Sequence, residues 1–271
     1  MSAKNDSPES VPERSNAEIR QTPKLSRREL ERRRLLIRTL GLGVAAVAAG
    51  LVGWYPVYRR LFDRLRPPGA LIEHHFLAAC IKCGQCVQVC PVQAIKLADG
   101  DEGYGLGTPY IDARAQACDF SCDAVQCVLA CPTGALSHEI ATKEEVKIGF
   151  ARLARPEACL AMQGKGFKGA ARGADYTGLH RYVEIDRWDP VPIASHPYDV
   201  EVCDLCVREC PIRGAITLEK VSDDPGDHRH MPVVHEACVG CGTCEMICPT
   251  EPAAIVIDTA MRLAEDKESR A

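Results

Sequence analysis

The run Cys80-Ile81-Lys82-Cys83-Gly84-Gln85-Cys86-Val87-Gln88-Val89-Cys90-Pro91 recurs in spacing at Cys238-Val239-Gly240-Cys241-Gly242-Thr243-Cys244-Glu245-Met246-Ile247-Cys248-Pro249. Four thiols within eleven residues force the local chain to wrap around whatever those thiols hold. Neighbours two apart in so tight a loop are badly placed for disulfide geometry. Zinc sites instead pair C-x2-C elements separated by a dozen or more residues. The C-x2-C-x2-C-x3-C-P spacing fits an iron–sulfur cubane, with three close cysteines on one cluster and the fourth reaching to another. Two independent copies make chance negligible.

Gly84 and Gly242 follow the second cysteine and permit the tight curl. Pro91, Pro132, Pro211 and Pro249 follow the last, fixing φ and offering no N–H. Two further sets have looser spacing. Cys118, Cys122, Cys127 and Cys131-Pro132 form one; Cys203, Cys206 and Cys210-Pro211 form three-quarters of another. Cys159 is the sixteenth cysteine and follows Arg155-Pro156-Glu157-Ala158 much as Cys238 follows His235-Glu236-Ala237. It is therefore assigned as the first ligand of the third set, the alternative being a free buried thiol. All sixteen cysteines are then cluster ligands, for four [4Fe–4S] clusters.

Short alternating strands follow the motifs, at Ala94–Leu97, Ala135-Leu136, Ala215–Leu218 and Ala254–Ile257. Strand candidates precede three of them, at Tyr110-Ile111, Val146–Phe150 and Val233-Val234. Strand, cluster loop, helix and strand, four times over, predict an α+β fold of two bacterial-ferredoxin-like dicluster units. Because the outer two motifs share tight spacing and the inner two share irregular spacing, the first is expected to pair with the fourth and the second with the third. Cys90 would then join Cys238, Cys241 and Cys244, and the halves would interleave. Adjacent pairing, first with second, is the alternative.

The expected body is residues 64–258, with motifs at 80–91, 118–132, 159/203–211 and 238–249, an insert at 160–202, and a tail at 259–271. With only 5% aromatic residues, such a body has few large side chains for an ordinary core. Residues 1–63 read differently. To about Lys24 they are polar and disordered in character. Arg32-Arg33-Arg34-Leu35-Leu36-Ile37-Arg38 then precedes twenty uncharged residues, Thr39 to Tyr58, an export pattern. Arg33-Arg34-x-Leu36-Ile37-Arg38 resembles the twin-arginine signal, and a plain membrane anchor is the alternative. Either places the body in the periplasm. Ala46-Val47-Ala48 offers a cleavage site, whereas Trp54, Tyr55 and Tyr58 suit the interfacial belt of a retained anchor. The first 38 residues hold ten Lys/Arg against six Asp/Glu, and the remainder 23 against 31, a net acidity that excludes nucleic acid as the main partner.

Other signals are weaker. Gly164-Lys-Gly166-Phe-Lys-Gly169 is formally GxGxxG, but no βαβ unit surrounds it, and a flexible basic loop is the better reading. The later insert, Tyr182 to Tyr198 with Trp188, either docks a partner, covers the third cluster, or is a tolerated surface insertion. His228-x-His230 reads as a solvated turn and His74-His75 as a surface pair. No Cys-x-x-Cys-His is present, and no residues form a catalytic set.

The chain resembles the NapG/MauM ferredoxin-type proteins in Arg64-Leu65-Arg66-Pro67-Pro68-Gly69-Ala70, Ala79 to Pro91, Gly107-Thr108-Pro109-Tyr110, Cys159-Leu160 with Gln163-Gly164, and Arg208-Glu209-Cys210-Pro211. Residues 160–202, which separate Cys159 from its set, depart from that pattern. The resemblance implies a non-catalytic electron carrier. It would serve between an integral-membrane ferredoxin-type quinol dehydrogenase and a periplasmic redox enzyme. A maturation factor for such an enzyme, or its permanent iron–sulfur subunit, would need the same cage.

Overall fold

The computed structural model describes residues 26–60, 64–100, 105–122, 124–182, 185–186 and 189–259, with side chains for all of these except 54–60. The polar arm before Lys24, the side chains of Trp54, Tyr55 and Tyr58, Trp188, and the tail beyond Thr259 lie outside that description. The chain divides into two units, Met1–Val52 and Gly53–Ala271.

Helix α1 runs from Arg27 to Arg60. A capping box starts it: the Glu29 carboxylate accepts the Ser26 N–H at 2.9 Å, and the Ser26 hydroxyl accepts the Glu29 N–H at 3.3 Å. Over Arg27–Gly53 it is long and apolar enough to cross a membrane. Its apolar side chains are exposed, Ile37 by 69% and Leu40 by 70%.

The second unit holds two lobes in chain order. In lobe one, α2 (Glu73–Ala79) leads into the first motif, α3 (Gln85–Gln88) and α4 (Gln126–Leu129) pack together, and β1 (Ile95–Leu97) pairs antiparallel with β2 (Pro109–Ile111). The register sets Ile95 opposite Ile111, and Leu65 bridges to Ile111, so three apolar side chains close one face. Arg66, buried at 3% exposure, reaches the Thr108 hydroxyl at 3.1 Å and the Pro109 carbonyl at 2.8 Å while ion-pairing Glu73. This one side chain joins the two stretches, 64–70 and 107–110, on which the family resemblance rested. Leu136 forms an isolated bridge to Ala70 where a fuller strand was expected.

In lobe two, β3 (Phe150–Leu153) pairs with β10 (Ile255–Asp258), β8 (Ile216–Lys220) pairs with β9 (His230–Val234), and α5 (Leu205–Arg208) packs on α6 (Thr243–Ile247). The strand expected at Val146–Phe150 begins where that segment ends. Val146 and Ile148 are buried outside it, and the Ile148 N–H donates to the Val239 carbonyl. Two-stranded ribbons alone are marginal in water, so both lobes depend on what their cysteine loops enclose.

Three departures are clear. The lobes follow chain order instead of interleaving. The Gly164–Gly169 stretch is not a flexible loop: β4 (Phe167–Ala170) pairs with β7 (Pro197–Val200), and the Gly166 Cα lies where a Cβ would strike the Val200 carbonyl oxygen. The remaining insert, with β5 (Leu179–His180) and β6 (Val191–Pro192), lies against residues 114–121 instead of over the third cysteine set.

Candidate functional site

Backbone conformation places the thiols. Lys82 (φ 59°) and Gly84 (φ 73°) curl the first motif, and Gly240 (φ 72°) and Gly242 (φ 91°) the fourth, before a short helix delivers Cys86 or Cys244. Val125 takes the same left-handed conformation ahead of α4 in the second motif. After the terminal cysteine the Pro turn sends the chain back, so that a backbone N–H meets the sulfur. Ala94 donates to Cys90 Sγ at 3.3 Å, Leu136 to Cys131 Sγ at 3.5 Å and Ala254 to Cys248 Sγ at 3.4 Å.

Four sets of four result. Cys80, Cys83, Cys86 and Cys131 line one cavity. Cys118, Cys122, Cys127 and Cys90 form the second set, with Cys90 close enough to push up the Cys122 and Cys127 thiols after burial has done so. Cys159, Cys203, Cys206 and Cys248 line another cavity, and Cys238, Cys241, Cys244 and Cys210 gather as the fourth. Terminal cysteines are thus exchanged between first and second motifs and between third and fourth. The expected first-with-fourth pairing is overturned. Packing of α3 on α4 and of α5 on α6 carries each terminal cysteine to its neighbour's loop, and loop regularity has no part in that choice. Cys159 stands with Cys203 and Cys206 as expected, the 43 intervening residues looping out between them.

No disulfide joins any of the sixteen cysteines. Burial, reinforced by the charges of Cys80, Cys83 and Cys131, pushes Cys86 up to about 11. Burial and then Cys122 and Cys90 push Cys127 to about 12, and burial drives Cys244 well up. Burial also acts on Cys131, but N–H groups from Leu136, Thr133 and Ala135 outweigh it and hold that thiol below its usual value. Four thiolates in such a cavity are tenable only around a cationic centre, which makes a coordinating thiol give up its proton. Among the described residues, no three Cys, His, Asp or Glu side chains converge tightly enough for a single metal ion. Open four-thiol sets facing a cavity, with N–H groups on the sulfurs, fit a polynuclear iron–sulfur cluster.

The lobes meet at the second and fourth loops. The Cys118 N–H donates to the Cys241 carbonyl at 3.2 Å, and the Thr243 hydroxyl donates to the Cys118 carbonyl at 3.4 Å. A Cβ on Gly242 would lie 2.6 Å from that of Ala113, so only glycine admits this approach. Arg114 of lobe one clamps lobe two by donating to the carbonyls of Glu245 (2.6 Å), Cys248 (2.9 Å) and Thr250 (2.7 Å). The insert straps the joint: Arg172 donates to the carbonyls of Arg114 and Met246, the Tyr176 hydroxyl to that of Ala115 at 2.6 Å, and Arg181 to those of Phe120 and Ser121. Buried His180 lies 3.1 Å from Glu209, beside Cys210. Tyr182, His196 and Tyr198 stack behind it, with burial and the Glu209 charge raising the Tyr198 phenol.

This two-lobed α+β scaffold with paired cysteine sets defines a ferredoxin-type iron–sulfur electron-transfer protein. A 4Fe-4S dicluster domain matches residues 79–135 and 201–251. The ferredoxin-type protein NapG of Escherichia coli K12 is 39% identical over 233 residues, 83% of this chain and 84% of that protein. The methylamine utilization ferredoxin-type protein MauM of Paracoccus denitrificans is 40% identical over 193 residues, 70% of this chain and 69% of that one. The chain belongs to the NapG/MauM family. No solved structure matches it.

Spacing pointed to fifteen of the cysteines, and the Arg155–Ala158 approach to Cys159. Missed were Arg114, Arg172, Gln116 and Arg181, whose partners are backbone groups or one another's neighbours and leave no motif. His180 and Glu209 are far apart in sequence, and only the Glu209-Cys210 adjacency hinted at a role.

Proposed function

We propose that this protein is a periplasmic relay that passes electrons through four [4Fe–4S] clusters, from a membrane-integral quinol-oxidising partner to a periplasmic redox enzyme. Each cluster, when bound, supplies one-electron storage; the protein's part is to fix the order in which those stores meet. The observation that carries the reading is the joint between Cys118 and Cys241. Exchange of Cys90 and Cys131 makes the first and second sets neighbours, exchange of Cys210 and Cys248 does so for the third and fourth, and the joint brings the second against the fourth. The series in this reading runs first, second, fourth, third.

Export by the twin-arginine route rests on Arg33 and Arg34 standing exposed on α1 ahead of its apolar stretch. That route suits a body folded around its cofactors. Residues 64–258 are the four-cluster body in this reading, and all sixteen cysteines are ligands.

Anaerobically purified protein should contain about sixteen iron and as much acid-labile sulfide per chain. Its clusters should be reduced by membranes of its source organism charged with a quinol. About four zinc without sulfide would overturn the cluster assignment. A full complement of iron that no quinol-charged membrane reduces would overturn the relay.

A further inference from the structure

The fourth set combines burial with a neighbouring cation. Cys238, Cys241 and Cys244 are buried, and Cys210, the half-buried fourth member, borders a polar cavity of about 220 Å³. Lys143 lines the same cavity. Its ammonium donates to the Pro211 carbonyl at 2.9 Å, one residue beyond Cys210. A tight turn, Lys143–Glu145, holds it there, fixed by the Glu145 carboxylate, which accepts the Ala141 and Thr142 N–H groups at 2.8 and 3.1 Å. The turn lies in the stretch that joins the second motif to β3, so a residue outside every cysteine motif brings a positive charge to a cluster loop.

Most other charges lining the cavity have partners of their own. Arg208 pairs with Asp204 at 2.7 Å, and Arg181 donates to the Phe120 and Ser121 carbonyls. Asp119 and Glu209 face the two ring nitrogens of His180, at 3.8 and 3.1 Å. Arg213 stands exposed. Lys143 has no ion-pair partner among the described residues. Burial raises the Cys210 thiol, while the Ile212 main chain and the Lys143 charge act against it. Of the cysteines that burial raises, it is the only one that a lysine or arginine opposes. Reduction adds one negative charge to a cluster already held by thiolates. Burial disfavours that gain and a nearby cation favours it, and each counts for more where water is excluded. Without a cation the fourth cluster, placed between the second and the third in the series, would be hard to reduce and would interrupt the flow between them.

We infer that Lys143 is the residue that holds up the reduction potential of the fourth cluster, its ammonium being fixed beside Cys210 by the Pro211 carbonyl. It touches no reacting atom and acts by position alone. One electron then passes onto the fourth cluster from a reduced neighbour in the series, which is oxidised, with no bond made or broken. The inference rests on the four-cluster relay reading and gives a task in it to a residue that is not a ligand.

The test uses the full-length, cluster-loaded protein, titrated anaerobically with dithionite and redox mediators, so that neither a partner nor a quinol is needed. The fourth cluster's electron paramagnetic resonance signal is the one that Cys210→Ser alters or removes. At a poise where that cluster is half reduced in the parent, Lys143→Gln should lower its ratio of reduced to oxidised form by about fivefold or more and leave the other clusters unmoved. Lys143→Arg, which keeps the charge, should stay within about twofold of the parent. Lys220→Gln, which removes an exposed charge at the end of β8 in the same lobe, should also stay within about twofold. Iron content should match the parent in each. If Lys143→Gln loses iron, Lys143→Met repeats the measurement with a side chain of similar length. Loss of iron in both neutral variants would make Lys143 a structural clamp and overturn the inference. An unmoved ratio in Lys143→Gln at full iron, or an equal fall in Lys143→Arg or Lys220→Gln, would overturn it as well. If the ratios move as expected but quinol-charged membranes fail to reduce the parent, the quinol relay falls and the role of Lys143 stands.

Discussion

Lobe one and lobe two use the same cysteine grammar but differ in how far they admit water: lobe one buries Cys86, Cys118 and Cys127, whereas lobe two buries all its cysteines except the half-buried Cys206 and Cys210. In lobe one, Cys83 is exposed, and Cys80, Cys90, Cys122 and Cys131 are half-buried. In lobe two the entire fourth motif is buried, with Met246 and Ile247 sealed behind it and Thr243 at 0% exposure. The contrast follows from the joint. Lobe two lends its fourth loop to the interface, where Arg114 and the strap cover it, whereas lobe one lends its second loop and leaves its first free. The relay proposed above would need an open end and an insulated middle, and one fold repeated twice offers both because the copies meet asymmetrically.

The largest expected effect separates the two lobes at their ligands. Cys131→Ser should abolish the cluster held by Cys80, Cys83 and Cys86, lowering iron by about four per chain, while lobe two's spectra are untouched. Loss of a lobe-two signal instead would mean that the cysteine exchange is misassigned. Oxidant with a chelator should then strip the first cluster earliest and the fourth last, followed by paramagnetic resonance at successive times. Simultaneous loss would erase the difference in insulation.

Next come the two equivalent glycines. Gly242→Ala sets a Cβ 2.6 Å from Ala113 at φ 91°, so overpacking adds to the left-handed strain, and thermal unfolding should show a loss of about 2–4 kcal/mol. Gly84→Ala, with nothing nearer than 3.9 Å, should lose only about 1 kcal/mol. Equal losses would place the joint elsewhere. Arg114→Ala removes charge-assisted bonds to three carbonyls and should cost about 2–3 kcal/mol. Arg114→Lys should not restore it, because an ammonium cannot span the fork. The smallest effect is expected at Lys168, whose ion pair with Asp199 on the insert's outer strands is fully in solvent. Lys168→Ala should leave the thermal midpoint unmoved.

The cysteine sets were legible because cubane ligation demands a spacing that nothing else explains. Even Cys159, 43 residues from its set, was identifiable from the Arg-Pro-Glu-Ala approach it shares in outline with Cys238. Which sets exchange ligands was not legible. Irregular loops at Cys118–Cys131 and Cys203–Cys210 suggested kinship, yet exchange depends on which short helices pack, and four- and five-residue helices carry too little pattern to reveal it. The insert misled for a related reason. Its glycines and lysines look like slack chain, while its structural work is done by Arg172, Tyr176 and Arg181 binding main-chain carbonyls, acceptors that every residue possesses.

Ligand exchange within each lobe also dictates the order in which the molecule can be finished. In the proposed four-cluster reading, every ligand of the first two clusters is present once the chain has reached Cys131. Neither cluster of lobe two can close until the fourth motif is made, since the third set waits for Cys248 and the fourth set's own thiols begin at Cys238. In that reading, a chain truncated after Cys131 would hold every ligand of the open lobe and none of the other lobe's. The strap, emerging from 160 onward, is synthesised in the interval between them.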